Sequence, residues 1–177
     1  FFIDHQMNRE FEEVMGRTVP SLPLVAACDV VARNACRMDW RKIIPVDSEV
    51  FLLGNPPYVG YSLQTVDQRL DMSTAINGDW IGIADYISCW FVKAAELISL
   101  EKCRAAFVST NSIVQGEQVM GLWKHIMSLD IEIGFAYTSF RWVNNAANNA
   151  GVTVVVIGLQ KKSTKSKLLF TEMNQTI

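Results

Sequence analysis

Apolar positions along the chain alternate between two spacings, and the switches mark its elements. From residue 1 to about 16, Phe2, Ile3, Met7, Phe11, Val14 and Met15 recur at three- and four-residue intervals. Asp4, Asn8, Arg9, Glu12 and Glu13 fill the gaps, which predicts an amphipathic helix closed by Gly16 and Pro20. Pro23 to Val31 holds a short apolar run that reads as a strand. Val50 to Leu53 is continuously apolar and stops at Gly54, the pattern of a buried strand. Tyr61 to Gly82 reads as polar and irregular, with Asn77-Gly78-Asp79 marking a turn. Helical spacing returns in Ile87, Trp90, Phe91, Ala94, Ala95 and Ile98, with Asp85 placed to cap a helix to about Leu100. Ala105 to Val108 is the core of a strand over 104–109, and a helix follows the next turn to about Leu129. Ile131 to Tyr137 predicts another strand, residues 138–151 a polar loop with two large aromatics, and Val152 to Leu159 the most β-prone run of all. Gln160 to Lys167 carries four lysines and reads as a solvated turn, after which Leu168-Leu169-Phe170 begins a last strand.

Helices alternating with strands predict an α/β fold with a mostly parallel sheet, ending in an antiparallel hairpin. With 177 residues, half of them hydrophobic, the chain can bury one substantial core and forms a single domain over 1–177. Its net charge of −2 is not the basic footprint of a free-standing DNA-binding domain. Any grip on nucleic acid is therefore local or comes from elsewhere. Cys28, Cys36, Cys89 and Cys103 lack metal-site spacing and sit among apolar neighbours, so they read as reduced, buried thiols. His5 and His125 lie too far apart to suggest a ligand pair, and no metal is expected. No apolar run reaches membrane-spanning length. Gln64, Asp67 and Arg69 are open to DNA or another domain, although a solvated linker accounts for them better.

The chemistry concentrates where the Val50–Leu53 run ends, in Gly54-Asn55-Pro56-Pro57-Tyr58-Val59-Gly60. A residue before proline is pushed out of the helical region, so Asn55 and Pro56 are held extended. The turn presents an amide oxygen, a backbone carbonyl and a flat ring from the end of a strand, where open α/β sheets bind ligands. An exocyclic amine on a heteroaromatic ring is a poor nucleophile because its lone pair is conjugated. Two acceptors, the Asn55 side-chain oxygen and the Pro56 carbonyl, would take its N–H bonds and favour a tetrahedral nitrogen. Tyr58 would stack on the ring at about 1–3 kcal/mol per base. The plain alternative is a proline-stiffened turn.

Asn55-Pro56-Pro57-Tyr58 resembles the catalytic motif of S-adenosylmethionine-dependent amino-methyltransferases, chiefly the adenine-N6 DNA methyltransferases. The longer string from Gly54 to Gly60, with Ser109-Thr110-Asn111-Ser112-Ile113-Val114-Gln115-Gly116, is similar to the methyltransferase part of the MmeI-like (type IIL) restriction-modification enzymes, and the similarity runs along nearly the whole chain. The resemblance implies a Rossmann-like fold, S-adenosylmethionine as cofactor, and transfer to an adenine N6 amine flipped out of double-stranded DNA in a prokaryotic cytoplasm. Asp39-Trp40, sixteen residues before Asn55, resembles the pair whose acid accepts from the cofactor's adenine amine while the aromatic packs on its ring. It places Asp85 near the cofactor, Phe140 or Trp142 against the extruded base opposite Tyr58, and Asn111 and Gln115 in support; Arg141 would touch a phosphate.

Two other readings stay open at this point. A protein glutamine methyltransferase also uses an Asn-Pro-Pro-Tyr turn, though the stretch after Tyr58 and the aromatic loop at 138–151 argue against it. A catalytically silent DNA- or partner-binding module is the second. The chain starts within a predicted helix, as a piece of a larger protein would. The Gly-rich first turn and ribose-binding acid expected by resemblance would precede Phe1, and a target-recognition domain would lie outside the chain. Such a piece, lacking its first strands, is expected to bind S-adenosylmethionine weakly, to lack activity alone, and to offer Val50–Leu53 as an open edge for dimerisation.

Overall fold

The computed structural model describes residues 13, 14, 16, 31–44, 48–76, 82–142 and 152–171. Residues 1–33 and 34–177 form two compact units. In the first, residues 13 and 14 are helical, as expected at the end of the 1–16 helix. Residues 23–30 of the expected early strand, Cys28, His5 and the Asn77-Gly78-Asp79 turn lie outside the described residues.

The second unit is a mixed α/β fold. Five strands, β1 (Val50–Gly54), β2 (Cys103–Thr110), β3 (Ile131–Trp142), β4 (Val152–Lys161) and β5 (Leu168–Phe170), form one sheet in the order β1-β2-β4-β3-β5. β1 pairs with β2 and β3 with β5 in parallel, whereas β4 runs antiparallel to both β2 and β3. It follows that β1, β2, β3 and β5 all point the same way. The carboxyl ends of β1, β2 and β3 therefore share one edge of the sheet. Among the described strands β1 stands at the end, next to β2 alone.

Three helices pack with the sheet: α1 (Val66–Ala75), α2 (Ser88–Leu100) and α3 (Gln118–Ser128). α2 is the central one, contacting α1, α3, β2 and β4. Its apolar face is buried outright, with the Phe91 ring edge-on to Phe107 of β2 at 5.3 Å and to Trp123 of α3 at 5.8 Å. Fully burying a side chain of this size contributes about 1.5–3 kcal/mol. No described helix is long and apolar enough to cross a membrane.

Four expectations need correction. The Tyr61–Gly82 stretch is not an irregular linker. It contains a short 3-10 turn (Tyr61–Leu63) and α1, whose start is locked by a capping box: Thr65 Oγ1 accepts from Gln68 N, and Gln68 Oε1 from Thr65 N. Gln64 is buried there, with its Nε2 donating to the Ala84 carbonyl at 2.8 Å, so it is not offered to a partner. β1 is not a buried strand: Val50 and Leu52 pack on the core, but Phe51 and Leu53 are 58% and 78% exposed on the other face. Asp85 does not cap α2, which begins at Ser88, because its carboxylate is engaged elsewhere. Finally, β3 runs on to Trp142 through register shifts at Ile133/Phe135 and Tyr137/Phe140, so Phe140 and Trp142 belong to a strand and not to a loop. Cross-strand pairing with Val154 and Val152 holds that extension in place.

The β4–β5 turn is fastened by a charge. Glu132 accepts from Gln160 Nε2, from Ser163 N and Oγ, and from Lys167 Nζ. The hydrogen bond from Gln160, followed by that from Lys167, holds its carboxyl down at about 2, well below the ordinary 4.5. A folded value below the unfolded one gives stability that is complete above pH 4.5 and is lost as pH falls towards 2. Thermal unfolding followed from pH 6 to about 2.5 should therefore show a steeper acid loss for the wild type than for Glu132→Gln. Parallel profiles would remove Glu132 from the account.

Candidate functional site

Each of the three carboxyl ends at the shared sheet edge leads into a segment that carries a sequence signal. β1 runs into Asn55-Pro56-Pro57-Tyr58, β2 into a 3-10 turn over Asn111–Val114, and β3 finishes with Phe140 and Trp142. In the first segment Pro56 is buried, Tyr58 half-buried against the core, and Asn55 and Pro57 are exposed. Beneath it lies the Phe107 ring, only 3.5 Å from where a Cβ on Gly54 would stand. The chain leaves the turn under restraint: the Val59 carbonyl accepts from Tyr86 N at 2.9 Å, and Tyr61 N donates to Asp85 Oδ1 at 3.3 Å.

A cavity of about 450 Å³ opens beside the turn, and its lining includes Asn55, Pro56 and Pro57 together with Trp40, Met38 and Trp90. The structure thus brings Trp40 onto one hollow with Asn55, Pro56 and Pro57, whereas Tyr58 is not among its lining residues. Trp40 is fixed in three ways. Its Nε1 donates to the Ala35 carbonyl at 2.8 Å, Lys93 Nζ lies 5.5 Å from its ring centroid, and the same Nζ donates to the Met38 carbonyl at 2.8 Å. Asp39 caps the 3-10 turn Trp40–Lys42 and lines an adjoining hollow. Both its oxygens accept from the Arg41 guanidinium, at 2.9 and 3.0 Å, which holds its carboxyl below the usual range. An amine seeking this acid shares it with Arg41.

Asp85 is placed differently from the cavity residues. It is 8% exposed and accepts from Tyr61 N, from Ser112 Oγ at 2.5 Å and from Gln118 Nε2 at 2.8 Å. Asn111 Oδ1 accepts from Ser139 Oγ at 2.6 Å, which ties the turn after β2 to the end of β3. Gln115 is exposed, and its side chain makes no hydrogen bond to another described residue. Phe140 and Trp142 face each other with centroids 6.4 Å apart, Trp142 being 39% exposed, and Arg141 between them is exposed.

Several residues that matter here carry no signal in the sequence. Buried Asp71 of α1 accepts from Asn34 Nδ2 at 2.9 Å, from Tyr86 Oη at 2.6 Å and from Arg37 Nε, so it anchors the segment that carries Asp39 and Trp40. Burial pushes its carboxyl up, but the donors outweigh burial and leave it lowered. Burial, together with the bond to Asp71, pushes the Tyr86 phenol well up. Gln118 and Ser139 complete the set, and Ser112 of the Ser109–Gly116 string gains its role only through distant Asp85. Their partners lie far off in sequence; only the Thr65–Gln68 capping box near Asp71 is a local signal. Among the described residues no cluster of three or more His, Cys, Asp or Glu could hold a metal ion.

Comparison with known proteins agrees with the geometry. The family described as "MmeI, DNA-methyltransferase domain" matches residues 1–171. A protein of Bacillus subtilis (strain 168) named DNA methyltransferase A is 43% identical, aligning over 96% of this chain and 20% of its own length. A solved structure of the type IIL restriction-modification enzyme MmeI in complex with DNA superposes with a TM-score of 0.79 at 38% identity, covering 95% of this chain and 23% of that one. The chain spans about a fifth of the length of these relatives. With a family match over nearly its whole length, and a strand-end turn beside a cavity walled by Trp40, the chain belongs to the MmeI-type DNA-methyltransferase domains.

Proposed function

We propose that this domain, within its intact protein, methylates the N6 amine of an adenine flipped out of double-stranded DNA, as part of a restriction-modification system. The observation that carries the reading is the shared cavity, whose lining includes both the Asn55, Pro56 and Pro57 turn and Trp40. The Asn55 side-chain oxygen and the Pro56 carbonyl accept the two N–H bonds of the target amine and turn its lone pair out of conjugation. Tyr58 stacks on the base, and Phe140 or Trp142 closes the other face. Positioning supplies most of the acceleration.

S-adenosylmethionine, when bound, supplies an electrophilic methyl group. The residues present suit its adenine end: the Trp40 ring offers a broad apolar wall beside Lys93, and Asp39, in the adjoining hollow, offers a carboxylate that Arg41 already shares. A Rossmann-like, mostly parallel sheet in the whole domain accords with four strands pointing one way. DNA would be gripped through a target-recognition domain elsewhere in the protein.

An enzyme that works on a base amine must take the base out of the stack. Duplex DNA with 2-aminopurine at the target should brighten on binding the intact protein, and tritiated methyl groups should appear as N6-methyladenine. Label on the glutamine of a release factor instead would favour the protein-methyltransferase reading. Binding with no transfer to any DNA would favour a silent module.

A further inference from the structure

The two aromatic arms of the proposed base pocket are carried by different strands, β1 through its turn and β3 through its end. Between them in the sheet lies the end of β2. Thr110 of β2 and Phe140 of β3 both pair with Val154 of β4, so the turn after β2 sits one strand away from the Phe140 arm. We propose that the Thr110–Ser112 turn is a bracket that sets the separation of these arms, with Ser112 and Ser139 as positioning residues, one for each arm. This inference rests on the proposed methyl transfer to a flipped base.

One side of the bracket reaches the catalytic turn. Ser112 Oγ donates to Asp85 Oδ2, and Asp85 Oδ1 accepts from Tyr61 N at the exit of that turn. Gln118 locks the link, donating from Nε2 to both Asp85 Oδ2 and the Ser112 carbonyl at 2.8 and 2.9 Å while its Oε1 accepts from Asp85 N at 2.9 Å. On the other side Ser139 Oγ donates to Asn111 Oδ1 at the β3 irregularity between Tyr137 and Phe140. The Thr110 and Ser112 hydroxyls, 2.8 Å apart, stiffen the turn itself.

Burying a carboxylate and an amide side by side is a poor way to gain stability, since apolar packing of similar volume does as well or better. A satisfied polar network does, however, hold one geometry against alternatives. Here the Asp85 carboxylate ties Tyr61, at the exit of the catalytic turn, to Ser112 in the turn after β2, and Gln118 of α3 braces both. That arrangement suits a device that fixes spacing.

The test uses the intact enzyme with its DNA substrate, comparing Ser112→Ala and Ser139→Ala. Ser139 is exposed, so its truncation should leave the thermal midpoint unchanged. Ser139→Ala should raise KM for DNA by about tenfold and dim the 2-aminopurine signal with kcat nearly intact, and Ser139→Thr should restore both. Ser112→Ala should instead lower kcat by about tenfold with KM for DNA little changed. Both variants matching wild type in kcat, KM and fluorescence, or losing only thermal stability, would overturn the bracket while leaving the methyltransferase reading intact. A wild-type enzyme that neither methylates DNA nor brightens 2-aminopurine would overturn that reading and the bracket with it.

Discussion

Asn55→Ala in the intact protein should lower methyl transfer by roughly 10²–10³-fold while DNA binding and thermal stability stay close to wild type. The size follows from the proposed role of Asn55 as one of two acceptors for the reacting amine, a group whose hydrogen bonds would strengthen as the nitrogen becomes tetrahedral. The selectivity follows from the structure. Asn55 is exposed, and its side chain bonds to no other described residue, so its truncation costs the fold little. The turn's shape is kept by Pro56, Pro57 and the bonds at Val59 and Tyr61, none of which involves the Asn55 amide. Single-turnover transfer of a tritiated methyl group, measured beside DNA affinity, is the direct check. Near-normal turnover would remove Asn55 from the chemistry.

Gly158→Ala should destabilise the domain by about 1–3 kcal/mol, the cost of overpacking a filled interior. A Cβ at this buried position would stand 2.1 Å from Phe135 Cε1 and 2.4 Å from its Cδ1. The ring cannot simply rotate aside, because it also packs edge-on against Phe170 at 6.5 Å, and Tyr137 stacks on Phe170 at 4.7 Å. β4 lies between β2 and β3, so its backbone has no free side towards which to move. A drop of several degrees in the unfolding midpoint is expected, partly recovered by Phe135→Leu in the same chain. If Gly158→Ala melts with the wild type, the Phe135 ring does not fill the space over this glycine.

What is legible in the sequence is what local pattern encodes. Runs such as Val152–Leu159 and Ala105–Val108 have no competing helical spacing, and they fall inside strands. α2 is visible because its stripe from Ile87 to Ile98 faces a core on several sides. α1 escapes the pattern because Val66, Leu70 and Met72 make too thin a stripe, although Thr65 and Gln68 spell out its start. The end of β3 escapes it because Thr138 and Ser139 are polar, and only pairing across the sheet keeps that segment extended. Asp85 misleads for a related reason. An acid before a helical run reads as a cap, yet its partners Ser112 and Gln118 lie in other elements, beyond the reach of any local pattern. Of the site itself, the Asn55–Tyr58 turn and Trp40 are legible as motifs, and the convergence of Asn55, Pro56 and Pro57 with Trp40 on one cavity depends on topology.

The position of β1 at the end of the described sheet has a consequence for how the domain assembles and wears out. β3 and β4 pair between residues close in sequence, Trp142 with Val152, so their contacts are local and favour early formation. β1 must find β2 across a long stretch of chain, Val50 pairing with Cys103, and must do so in parallel. Pairing of that kind is entropically costly and comes late in folding. With Phe51 and Leu53 exposed and only β2 paired to it among the described strands, β1 also falls at the low end of local stability. Because the Asn55–Tyr58 turn hangs from β1, loosening of this strand would displace Asn55 and Tyr58 while leaving the β3–β4 pair and α2 in place. If the proposed methyl transfer holds, mild heating of the intact protein should therefore reduce transfer before most protected amides of the domain exchange.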